Sequence, residues 1–168
     1  MNRLKELTSS YSNLDRQSFS QLDFQTGDII LFSADKGLIT KAIQCWTKSR
    51  YSHVAMVVRN PDFPNFRAEG VYMIESTTLD PLPDAEDHHR KVGVQLHELQ
   101  KVIQTYPGKT YWRKLNFHRD FQFLKRLKQA HAMVHDKPYD LDAEDWVEIA
   151  FKEYSHDLHT KKRFICSA

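Results

Sequence analysis

Residues 51–60, YSHVAMVVRN, decide the fold. Val54, Met56 and Val58 alternate with His53, Ala55 and Val57, the two-residue period of a β-strand with side chains on both faces. His53 stands at the start of this strand, and residues 60–64 form a proline-rich loop that ends it.

Upstream, TGDIILFS reads as a turn at Thr26, Gly27 and Asp28 feeding a short apolar strand over residues 29–32, buried on both faces. Between these strands, GLITKAIQCWTKS places Leu38, Ile39, Ala42, Ile43 and Trp46 on one helical face. Cys45 falls inside that helix and reads as a small hydrophobe filling a gap against the sheet. Residues 2–22 are polar with scattered Leu, Tyr and Phe, which predicts a loosely amphipathic helix outside the core. The chain therefore divides into an N-terminal helical extension, 1–23, and a single domain, 24–168.

Downstream, VYMIES puts Tyr72 and Ile74 on one side of a strand and Met73 and Glu75 on the other, with Glu75 near the strand terminus. PLPDAEDHHRK, residues 81–91, reads as an exposed loop. VGVQLHEL predicts a strand running into a helix that carries Val102 and Ile103, and KTYWRKL predicts one strand more. RDFQFLKRLKQAHAMVHD sets Phe121, Leu124, Leu127, Ala130 and Val134 at helical spacing, and DAEDWVEIAFKEY repeats the pattern behind an Asp cap. Strands in the middle and helices around them give an α+β class, an antiparallel sheet flanked by helices.

Composition narrows the function. The 24 basic and 22 acidic residues leave a formal charge of +2, too balanced for the concentrated basic surface that phosphate backbones require. No stretch approaches the roughly 18 apolar residues of a membrane span, and the first residues lack a secretory apolar run, so the expectation is a cytoplasmic protein without a transmembrane segment. Two cysteines, Cys45 and Cys166, are too few for a disulfide framework or a cysteine-rich zinc site. His156 with His159, and His88 with His89, lack a third ligand, so neither a metal nor any other cofactor is expected.

The chain ends in RFICSA, which carries Cys166. A thiol near its reference pKa of ~8.5 is mostly protonated at neutral pH, so a nucleophilic cysteine needs an imidazole or a helix N-terminus beside it. The imidazole needs an orienting partner on its other nitrogen, which a carboxylate supplies. Neighbouring strands lie about 4.8 Å apart, so His53 and Glu75 at one end of paired strands can meet on one face.

TGDIILF, YSHVAMVV, YMIES, KPYDLD and RFICSA, in this order, resemble the circularly permuted branch of the NlpC-like papain-fold superfamily, the YiiX-like group with bacterial and poxviral members. The resemblance covers most of residues 24–168 and implies a papain-like fold of the permuted NlpC type. It implies that Cys166 is the nucleophile, His53 the general base and acid, and Glu75 the orienter. Tyr139, in KPYDLD, is a substrate or oxyanion contact by the same resemblance, or else a turn residue packing its ring beside Pro138. In that family a full helix follows the Cys-Ser pair, so the resemblance implies that the chain is cut just after the nucleophile.

The expectation is a cysteine hydrolase that cleaves an amide, ester or thioester bond through an acyl-enzyme, acting on a small-molecule, peptide or lipid-linked substrate. Two alternatives stand beside it. The histidine strand also resembles that of lecithin retinol acyltransferase-like enzymes, which implies a lipid acyltransferase or thioesterase, although their Asn-Cys motif is missing here. A catalytically silent module holding an amide or a lipid in the same cleft is the other.

Overall fold

The computed structural model describes residues 11–13, 22–33, 45, 48–77, 82–135 and 137. Its strands are β1 (Tyr11–Asn13), β2 (Ile29–Ser33), β3 (His53–Arg59), β4 (Asp62–Phe63), β5 (Phe66–Arg67), β6 (Val71–Thr77), β7 (Gly93–Glu98) and β8 (Lys109–Arg113). Helix α1 (Leu99–Thr105) joins β7 to β8, and helix α2 (Phe121–Val134) follows β8. Six strands form one antiparallel sheet in the order β1-β8-β2-β3-β6-β7, and β4 and β5 form a separate two-stranded hairpin. No helix among the described residues is long and apolar enough to cross a membrane.

Successive residues of β3 serve opposite faces, which is why the strand is apolar almost throughout. Ala55 and Val57 join Ile30, Phe32, Met73 and Trp112 beneath Leu99, Val102 and Ile103 of α1. Val58 turns the other way and packs with Leu96 and with Phe63 of the hairpin, against which Leu127 of α2 rests. The register Val57 to Met73 and Met73 to His97 fixes which side chains of β3, β6 and β7 share a face.

The Thr-Gly-Asp turn ties the sheet to the segment after β8. Gly27 sits at φ +89°, and a Cβ there would come within 2.7 Å of Leu115 and 2.8 Å of Phe123, so only glycine lets these parts close. Asp28 is fully buried and accepts four hydrogen bonds: Oδ2 from Trp112 Nε1 at 2.9 Å and Gln25 N at 3.1 Å, Oδ1 from Leu115 N at 2.9 Å and Arg119 at 2.6 Å. Arg119 also donates to the Thr26 carbonyl at 2.7 Å. A buried carboxylate is tolerated only when its lone pairs are met in this way.

Four sequence readings change. Tyr11–Asn13, expected within an outer helix, is instead an edge strand paired with β8, where it meets main-chain groups that β2 cannot reach. The loop over residues 81–91 is not simply exposed: Asp84 is buried, accepts from Leu96 N at 3.0 Å and Glu86 N at 3.3 Å, and pairs with Lys91 at 2.5 Å. That carboxylate anchors the loop to β7. Cys45 is exposed rather than filling a gap in the core. On α2, Phe121, Leu124 and Ala130 are exposed, while Phe123, Leu127 and the buried His131 turn inward, Phe123 toward Gly27 and His131 held by Glu86 and the Phe63 ring. The helix expected over residues 142–154 lies outside the described residues.

Replacing Asp28 by Ala strands the buried indole N–H of Trp112, the part-buried main-chain N–H groups of Gln25 and Leu115 and the Arg119 guanidinium, so urea unfolding should register a loss of about 3–5 kcal/mol. Arg119→Ala leaves three of the four donors to Asp28 in place and should lose clearly less. Equal losses for the two variants would contradict the role given to the carboxylate.

Candidate functional site

The alternation of β3 and β6 brings His53 and Glu75 to the face that carries Ala55, Val57 and Met73. Extending the β3–β6 register one residue beyond Met56–Ile74 sets Ala55 opposite Glu75 and His53 one diagonal step beyond. A methyl group at Ala55 leaves room for the longer side chains to cross above it. His53 Nε2 is hydrogen-bonded to Glu75 Oε2. Phe32, directly opposite His53 on β2, lies with its ring centroid 5.3 Å from the imidazole.

The other oxygen of Glu75 is also engaged. His97 of β7, paired with Met73 and so diagonal to Glu75 on the far side, binds Glu75 Oε1 through Nδ1 at 2.8 Å. One carboxylate is thus held between imidazoles from its two neighbouring strands. The three side chains differ in access: His53 is 20% exposed, whereas Glu75 is 3% and His97 1%. Only His53 can meet a reactant from solvent.

Burial alone would push the Glu75 carboxyl up. The hydrogen bonds from His53 and His97, and the attraction of the two rings, outweigh it and bring Glu75 down to about 2. Glu75 is then an anion at neutral pH and accepts only, so both rings must donate to it. His53 carries its proton on Nε2 and His97 on Nδ1. The lone pair of a neutral His53 lies on Nδ1, the nitrogen suited to act as a base.

The structure therefore brings together two of the residues named from sequence, His53 and Glu75. Cys166 and Tyr139 lie outside the described residues, as do His156 and His159. His88 and His89 are exposed in the loop before β7. Sequence reasoning missed His97, although QLH within GVQLHE sets Gln95 and His97 on one face of an otherwise apolar strand, a pattern that asks for a polar partner next door.

A second set joins the C-terminal end of α2 to the loop before β7. His131 Nε2 stands 3.0 Å and His135 Nε2 3.5 Å from Glu86 Oε2, and Phe63 stacks on His131 with ring centroids 3.6 Å apart. Glu86, His131, His135, Pro64, Asn65 and Ala132 line a cavity of about 180 Å³. Among the described residues no three His, Cys, Asp or Glu side chains are arranged to hold a metal ion.

Compared with protein-family models and with curated proteins, the chain matches none.

The depressed Glu75 value fixes the sign of a pH effect. Its folded value lies below the 4.5 of an ordinary glutamate, so its stabilisation is complete above that range and is lost as pH falls toward about 2. Urea unfolding of the wild type and Glu75→Gln should therefore show a stability difference that narrows by about 2 kcal/mol between about pH 5 and about pH 3. A difference that stays flat over this window would show that Glu75 is not held as an anion.

Proposed function

We propose that this protein is a cysteine hydrolase of the permuted papain-like type, cleaving an amide, ester or thioester bond with Cys166 as nucleophile, His53 as general base and acid, and Glu75 as orienter. The observation that carries the reading is the buried Glu75 carboxyl hydrogen-bonded to Nε2 of a part-exposed His53. A histidine on a sheet for packing alone has no need of an ionised partner buried beneath it.

The chemistry follows from that orientation. His53 Nδ1 takes the thiol proton of Cys166, and the sulfur attacks the acyl carbon to give a tetrahedral oxyanion. Collapse breaks the bond to the leaving group, which leaves with the proton returned by His53, and an acyl-cysteine remains. Water then loses a proton to His53, attacks the acyl carbon and releases the acid, while the proton passes back to the thiolate. Through both half-reactions Glu75 keeps the ring from turning and stabilises the imidazolium.

Cys45 is exposed and makes an internal reference for the reactivity of an accessible thiol. Treated with limiting iodoacetamide near neutral pH, Cys166 of the full chain should be alkylated at least about tenfold faster than Cys45. His53→Ala should bring the two rates together, and Glu75→Gln should fall between. Equal rates in the wild type would overturn the reading. Peptide amides and acylated lipids, incubated separately with the protein, should be distinguished by which gives a product that Cys166→Ser abolishes.

A further inference from the structure

We infer that His97 is a positioning residue of this site, the group that locks the Glu75 carboxylate in the one rotation that points Oε2 at His53. The inference rests on the catalytic role proposed for His53 and extends it to a buried imidazole that touches neither nucleophile nor substrate.

A carboxylate on a strand can swing about its terminal bonds, and a single hydrogen bond from a part-exposed ring constrains it weakly. Glu75 is instead gripped at both oxygens from opposite strands, with His97 Nδ1 on Oε1 and His53 Nε2 on Oε2. Of the two rings, His97 is the more buried and is held near the end of the edge strand β7, at the register position across from Met73, with its neighbours Leu96 and Glu98 on the opposite face. It is the fixed end of the chain and His53 the working end. Among the described residues, the groups that lower the Glu75 carboxyl are these two imidazoles. Helix α1, packed over β6 and β7, buries the apolar Leu99, Val102 and Ile103.

The arrangement also gives His97 a definite protonation role. Because the anion accepts only, His97 must present an N–H at Nδ1 and nowhere else for this contact. An asparagine amide nitrogen stands near the Nδ1 position of a histidine, while that of a glutamine stands near Nε2. The variants His97→Asn and His97→Gln are therefore both polar and close in size, yet only the first returns a donor to Glu75 Oε1.

The test uses the full chain and two readouts: the Cys166 alkylation rate relative to Cys45, and the ¹³C carboxyl shift of Glu75 followed by NMR as pH is lowered. His97→Gln should slow Cys166 alkylation about tenfold and move the Glu75 midpoint up by about one unit or more. His97→Asn should stay within about twofold of wild type in rate, with a Glu75 midpoint close to the wild-type one. Wild-type behaviour of His97→Gln in both readouts would overturn the inference, as would equal loss in both variants, which marks a packing role. If wild-type Cys166 reacts no faster than Cys45, the hydrolase reading fails. The Glu75 titration would still decide whether His97 holds the carboxylate.

Discussion

A carboxylate buried on a β-sheet, between β3 and the edge strand β7, is the constraint to which the arrangement of β3, β6 and β7 answers. Leaving an ionised Glu75 unpaired among Ala55, Val57 and Met73 would be costly enough that the group would neutralise or the sheet would shift. Two imidazoles, one from each neighbouring strand, make it tolerable. They do so only in one register, since a slip of one residue in β3 or β7 would carry His53 or His97 to the opposite face. The polar contact and the strand pairing therefore specify each other, with the apolar layers on either side agreeing with both.

Asp28 offers an instructive comparison, because it is as deeply buried and more fully hydrogen-bonded. Its donors are an indole, two main-chain amides and a guanidinium, none of which changes protonation under ordinary conditions. Such a site can join β2, β8 and the segment leading to α2, and it can do little else. Among the described residues Glu75 is met by two imidazoles, side chains able to give and take protons, and one of them reaches solvent. Similar burial thus yields a structural joint in one place and a site fit for proton transfer in the other.

Much of this was legible in the sequence. Period-two alternation marked β3 and β6 and set His53 and Glu75 on faces that could meet, and the Thr-Gly-Asp turn and the α+β class followed from local pattern. What escaped reading was of three kinds. His97 and Gln95 were hidden in an apolar run, because a polar residue in a strand declares its partner only when the neighbouring strand and its register are known. Asp84 and Lys91, in a charged and proline-rich stretch, read as solvated because burial there depends on the Leu96 amide from β7. On α2, helical periodicity picked out Phe121 and Leu124, whereas the inward face is set by Glu86 holding His131, a contact made across 45 residues of chain.

Glu75, hydrogen-bonded to His53 Nε2, is what fixes the tautomer and orientation of the His53 ring. The measurement closest to this role is ¹⁵N spectroscopy of the His53 ring in the wild-type protein, with the imidazole neutral. The expected spectrum has the proton on Nε2, hydrogen-bonded to Glu75, and an unprotonated Nδ1. A proton found on Nδ1, or equal populations of the two tautomers, would mean that Glu75 does not hold the ring, and the site would lose its base.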